Sequence, residues 1–158
     1  MTSFGQGHTV MHRPLHLSPR QGTLLGLIWI AVQKNRERGQ GAFVEAGLLG
    51  DLIFAAQSRG LVSPLANFLF DGTSSLPYLE APSVRHALET LKDAGLLHIS
   101  GGKSQPGRSE GQYIPETGGT IGFLGTSFFD LPTGIFRHLN VFGFADLVEE
   151  FTEGRDDE

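Results

Sequence analysis

The sequence predicts an α+β chain, mainly α with a small β-hairpin, and three observations carry that expectation. Ser18-Pro19-Arg20-Gln21 opens a long apolar run with the signals of a helix start. Val84, Ala87, Leu88 and Leu91 recur at i, i+3, i+4 and i+7 ahead of Gly95, the pattern of an amphipathic helix with a left-handed cap. A glycine-rich, mildly basic stretch, Gly101 to Gly111, then separates two strand candidates, His98-Ile-Ser100 and Gln112-Tyr-Ile114. The chain has 158 residues, enough for one substantial core or for a domain of about 100 residues with an added subdomain.

The elements are expected in this order. Residues 1–17 are polar, broken by Gly and Pro, and read as a flexible N-terminal arm. His8, His12 and His16 are spaced by four, but Pro14 interrupts them and no carboxylate accompanies them, so no metal site is expected. Ser18 caps the first helix, with Pro19 in its first turn and Gln21 three residues after the cap; the helix runs to about Arg38. Leu24, Leu25, Leu27, Ile28, Trp29 and Val32 cover much of its circumference, which places it in the interior. Its basic end, Lys34 to Arg38, reads as a solvated helix terminus favoured by the dipole, or else as a phosphate contact.

A second helix is expected from Phe43 to about Ser58, with Val44, Leu48, Leu52, Ile53 and Ala56 inward and Gly60 ending it. Ser63-Pro64 starts a short third helix over Leu65–Phe70, and Asp71 to Ser75 is a turn. Helix 82–95 follows, with Pro82 in its first turn; Leu96, Leu97 and Ile99 begin a strand. The loop 101–111 is too long and glycine-rich for a tight turn. Residues 117–151 hold Ile135, Phe136, Leu139, Phe142, Phe144, Leu147 and Phe151, a Phe-rich packing or interface segment with one or two short helices. Residues 152–158 form an acidic tail.

Charge and cysteine content narrow the function. Formal net charge is −5, yet residues 1–145 hold 11 Lys+Arg against 10 Asp+Glu, while residues 146–158 hold one Arg against seven acids. The acidity is thus a C-terminal feature on a nearly neutral body. The absence of cysteine excludes disulfides, thiolate metal sites and a cysteine nucleophile, and fits a cytoplasmic location. No stretch has the length and apolarity of a membrane span, and the N-terminus does not read as a secretory signal. Catalysis is not expected: no Ser/His/Asp arrangement or paired-carboxylate motif is present. Gly101-Gly-Lys-Ser104 matches the end of a P-loop, but Leu97 stands where its first glycine belongs. No cofactor is expected.

The segment from Ser63 to Ile114 resembles the winged helix-turn-helix of bacterial transcription factors, broadly the MarR, GntR and PadR-like groups. Leu65-Ala66 lies on the first helix of the motif, Ser83-Val84-Arg85-His86-Ala87-Leu88 on the second, and Leu91-Lys-Asp-Ala-Gly-Leu-Leu97 leads to the wing. The Ser18-Pro19-Arg20-Gln21 opening is also similar to the first helix of LexA-type winged domains. The resemblance implies a winged-helix domain over residues 18–116, with extra N-terminal helices and a C-terminal helical extension. More residues separate Ala66 from Val84 than the dozen or so usual in these groups. Either the turn is decorated around Asp71 to Leu79, or a different helix precedes the second one.

The resemblance implies double-stranded DNA as partner and a regulatory role in transcription. Pro82, Ser83, Arg85 and His86 would enter the major groove, and Lys103, Ser104 and Arg108 of the wing would touch the backbone or minor groove. A homodimer is expected, through the first helix or the Phe-rich segment, because paired half-sites multiply weak contacts. The competing reading is a winged helix used for protein–protein assembly in replication or chromosome segregation. The neutral body, the acidic tail and the Phe-rich segment suit it.

Overall fold

The computed structural model describes residues 17–70, 81–104, 113–123, 131–132 and 134–156. Among them the chain is mainly helical, with a small antiparallel sheet. The order is α1 (Pro19–Glu37), β1 (Phe43–Glu45), α2 (Ala46–Ser58), a 3-10 turn (Pro64–Ala66), α3 (Pro82–Asp93), β2 (Leu97–Ser104), β3 (Tyr113–Phe123) and α4 (Val141–Asp156). The three strands lie in the order β1-β3-β2. The arm with its three histidines, the turn at Asp71, the middle of the expected wing and the last two residues of the tail lie outside the described residues.

Helix α1 forms for the reasons legible in its first turn. The Ser18 hydroxyl accepts from the Gln21 backbone N–H at 3.1 Å, and the Gln21 side chain accepts from the Ser18 N–H at 3.0 Å, a reciprocal capping box. Leu24, Leu25, Leu27 and Ile28 are completely buried, so α1 is the central rod of the core. Trp29 sets its ring edge against Phe123 of β3, with centroids 5.0 Å apart.

Three expectations are corrected. The segment Phe43–Glu45 is a strand rather than the first turn of the second helix. Val44 pairs with Ile121 of β3 and is buried with it in the core. Gly41, at φ +115°, turns the chain out of α1 into that strand. The expected helix 65–70 is a single 3-10 turn. Asn67 leaves it extended at ψ 142°, and side chains from α1 and α2 hold the backbone of Asn67 and Phe68. Arg20 Nε donates to the Asn67 carbonyl at 2.8 Å, and the Gln57 amide brackets Phe68, accepting from its N–H and donating to its carbonyl. These side-chain bonds replace helical ones. The strands of the hairpin also run further than expected. β2 continues through Gly101 to Ser104 past a bulge between Ser100 and Gly102, and β3 continues to Phe123 as the central strand.

The far end of the chain closes the structure. Residues 61–63 run beside 138–140, with Ser63 N–H donating to His138 and Asn140 N–H to Leu61, both at 2.8 Å. The Asn140 side chain then caps α4 by accepting from Gly143 N–H at 2.9 Å. Phe144, Leu147 and Val148 of α4 are buried in the shared core, so the expected one or two short helices are one long helix and the acidic stretch is helical up to Asp156. Outside the core, Lys34 of α1 bonds Glu149, and Arg59 grips both carboxylate oxygens of Glu150 at 3.1 and 2.9 Å. The Arg59 guanidinium holds the Glu150 carboxyl below its ordinary range, chiefly through those hydrogen bonds.

Candidate nucleic-acid interface

The exposed side of α3 follows from its buried one. Val84, Ala87, Leu88 and Leu91 face the core, which leaves Pro82, Arg85, His86, Glu89 and Asp93 on the outward arc. Pro82 and His86 are exposed and Arg85 is half-buried. Charge is graded along this arc: Arg85 and His86 stand near the N-terminus, and Glu89 and Asp93 near the C-terminus. Lys92 lies 3.8 Å from the Asp93 carboxylate, which offsets that cation locally.

This gradient runs against what would stabilise an isolated helix. Ala81 caps α3 without any side-chain hydrogen bond, and no acid stands in its first turn. The positive end of the dipole therefore meets Arg85 and His86 rather than a carboxylate. Such an end is suited to an external anion. Among the described residues, the Arg85 guanidinium and the His86 ring engage no other side chain.

Ser83 has a different task. Its hydroxyl accepts from the Leu69 N–H at 2.8 Å and lies 3.2 Å from the Leu69 carbonyl, to which it donates. Both hydrogen-bonding directions are used within the protein, tying the start of α3 to the extended segment after the 3-10 turn. Ser83→Ala is expected to cost about 1 kcal/mol of stability in urea denaturation, the usual worth of such bonds at a partly exposed site. An unchanged midpoint would remove this structural role.

The residues expected in the wing are placed by register alone. Lys103 pairs with Ile114 and Ser104 with Tyr113, at the outer end of the hairpin, and Arg108 lies outside the described residues. Leu65-Ala66, expected on the helix before α3, sits in the 3-10 turn, and among the described residues the α-helix that precedes α3 is α2. The basic end of α1 also resolves: Lys34 is drawn to Glu149 and Arg36 Nη1 to Gln33 Oε1 at 3.4 Å. Arg20 lies with its guanidinium 5.9 Å above the Phe68 ring. The cations on α1 and α2 with these partners serve the fold, and Arg85 stands out by contrast.

Sequence reasoning missed two arrangements. On β2 the exposed His98 ring and Ser100 hydroxyl are 3.0 Å apart, an i, i+2 pair on the face opposite Leu97. A cavity of about 150 Å³ lies where α1, β1, α2 and α4 meet, with Asn35 and Glu45 in its wall. Neither has a local sequence signal. Among the described residues no group of His, Asp or Glu is placed to hold a metal ion, and no helix is long and apolar enough to cross a membrane. No family model matches this chain, and neither a curated protein nor a solved structure matches it.

Proposed function

We propose that this chain is a winged helix-turn-helix protein that binds double-stranded DNA, with α3 in the major groove and the β2–β3 hairpin as wing. The order α1-β1-α2-α3-β2-β3 and the sheet order β1-β3-β2 support the winged-helix reading. The observation that carries DNA as ligand is the Arg85–His86 pair, which engages no other side chain among the described residues, at an N-terminus of α3 without a side-chain cap, where a groove-reading helix places its base contacts. Arg85 is the specificity residue, able to bond guanine O6 and N7 together. His86 and Pro82 flank it, and Ser83 positions the helix. Lys103, Ser104 and Arg108 are the backbone contacts of the wing. A cytoplasmic transcriptional regulator acting as a homodimer accords with this reading.

The test begins with selection of a preferred duplex from a random pool, followed by titration at rising salt. Affinity should fall steeply with salt as phosphate counterions are released. Arg85→Ala should weaken the selected duplex by tenfold or more, about 1–3 kcal/mol, while leaving weak binding to generic duplex in place. Equal binding of both sequences by the variant and the parent would sink the assignment of Arg85.

A second reading has its own observation. Phe142, Leu65 and Leu69 are 84%, 75% and 64% exposed, large apolar side chains that a protein partner would cover. That favours a winged helix used for protein–protein assembly. Absence of duplex binding at any salt, with a folded protein, is its signature.

A further inference from the structure

The two edges of the sheet are finished differently. On β1 the Asn35 amide of α1 donates to the Phe43 carbonyl at 2.7 Å, and the strand is only three residues long. On β2, β3 lies on one side and, among the described residues, no strand lies on the other. Burial records the same difference. Val44, Ile121 and Ile99 form one row across the core face of the sheet. Val44 and Ile121 are 2% and 0% exposed, whereas Ile99 at the β2 edge is partly exposed. Natural sheet edges are commonly kept from pairing by charges, prolines or bulges. From Gly95 to Ser100 the chain has no such guard: the bulge follows Ser100, and the first charge of β2 is Lys103.

We propose that the open edge of β2 pairs antiparallel with the same edge of a second copy of this chain, joining two three-stranded sheets into one of six strands. A two-fold axis at Ile99 sets the register. Ile99 then stands opposite Ile99 of the second copy, His98 opposite its Ser100 and Leu97 opposite its Gly101. Because side chains alternate along a strand, this register sets like against like. His98 and Ser100 are exposed on the outer face, already 3.0 Å apart within one strand, and the same two groups meet across the axis. Ile99 lies on the core face, and pairing covers the part of it that β3 leaves open. The stretch carries no charge, so two copies meet without repulsion, and a charged peptide would find no counter-charge along it. That self-complementarity selects a second copy as the occupant.

The pairing rests on the sheet alone and stands whether or not α3 binds DNA. It also moves the dimer surface away from the two places the sequence suggests. Leu24, Leu25, Leu27 and Ile28 of α1 are spent in the core of their own chain, as are Phe144, Leu147 and Val148 of α4. The paired stretch is short against the roughly 1,200 Å² that a stable complex buries, so the dimer is weak, with a Kd of about 10–100 µM.

Sedimentation equilibrium of the full chain from about 1 µM to about 500 µM tests the proposal, and the mass should double across that range. The double variant His98→Lys, Ser100→Lys sets like charges opposite each other and should weaken the dimer tenfold or more. His98→Glu, Ser100→Glu should do the same alone, and an equimolar mixture of the two variants should associate again. Misfolding cannot produce that rescue. Because the chain has no cysteine, Ile99→Cys carries a single thiol. Directly opposite residues of an antiparallel pair are about 4.5–5.5 Å apart, within disulfide reach, so oxidation should cross-link this variant as a dimer. Phe142→Cys, on the exposed side of α4, should stay uncrosslinked. A parent chain that remains monomeric throughout overturns the proposal. So does a dimer that both charged variants leave unchanged, or a thiol that cross-links at position 142 and not at 99. The cross-linking pair decides the question where the charged variants fail to fold.

Discussion

Phe144→Ala should cost about 3–5 kcal/mol of folding stability, the range for truncating a buried phenylalanine. Phe144 is completely buried on α4, among the core residues that α4 shares with α1 and α2. Removing its ring strips apolar contact and leaves a void that neighbours close only in part. The melting temperature should fall by about 10 °C, since a domain of this size loses a few degrees per kcal/mol. Phe142, two residues earlier, is 84% exposed, and its change to alanine should stay within about 0.5 kcal/mol. The pair separates two roles that the Phe-rich segment could play, packing and interface. A loss below 1 kcal/mol for Phe144→Ala would show that α4 is an appendage rather than part of the core.

The contrast also shows what kind of information the sequence holds. Helices α1 and α3 were legible because their signals are local: a capping box at Ser18 and Gln21, and an apolar stripe from Val84 to Leu91 ended by Gly95. Strand β1 was not, because Val44 is spaced by four from Leu48 and extends the apolar side of α2 backwards. Its partner, Ile121, is distant in sequence, and a three-residue strand exists only through that pairing. The missing helix at 65–70 has the same origin. Ser63-Pro64 is a sound start signal, but Arg20 and Gln57 capture the following backbone from other elements. β3 passes through Gly118 and Gly119, residues of low strand propensity, yet it is the central strand with a partner on both sides.

The same division runs through the candidate interface. That α3 would present Pro82, Arg85 and His86 outward follows from its apolar period alone. That Ser83 is tied to Leu69, and that Lys34 and Arg59 are drawn to α4 while Arg85 is not, depends on contacts far apart in sequence. The acidic C-terminal stretch therefore does more than lower the net charge. By pairing with Lys34 and Arg59 it occupies cations on α1 and α2, and the outward arc of α3 keeps its own. Under the proposed function, this leaves contact with the duplex to α3 and the hairpin.

Gly26→Val is the second large effect, expected to cost about 3 kcal/mol, at the upper end of overpacking penalties. A Cβ at Gly26 would lie 2.7 Å from the Ile135 carbonyl oxygen and 3.1 Å from the Phe136 ring. The first contact is with backbone, in a segment whose Leu139 bridges Val62 and whose neighbour Asn140 caps α4. Relief would require moving that whole connection away from α1, and the ring of Phe136 blocks the simplest shift. The intrinsic gain from replacing a helical glycine is at most about 1 kcal/mol and smaller for a β-branched residue, so sterics decide the sign. Gly22, one turn earlier on the same helix, has nothing within 4 Å of its added Cβ. Gly22→Ala should therefore stabilise the protein by about 0.5–1 kcal/mol through helix propensity and a less flexible unfolded chain. Opposite signs from two glycines four residues apart, read as shifts in the urea midpoint, would place the 134–140 connection against α1. Stabilisation by both substitutions would mean that this connection does not rest on Gly26, and the packing assigned to the C-terminal third would fail with it.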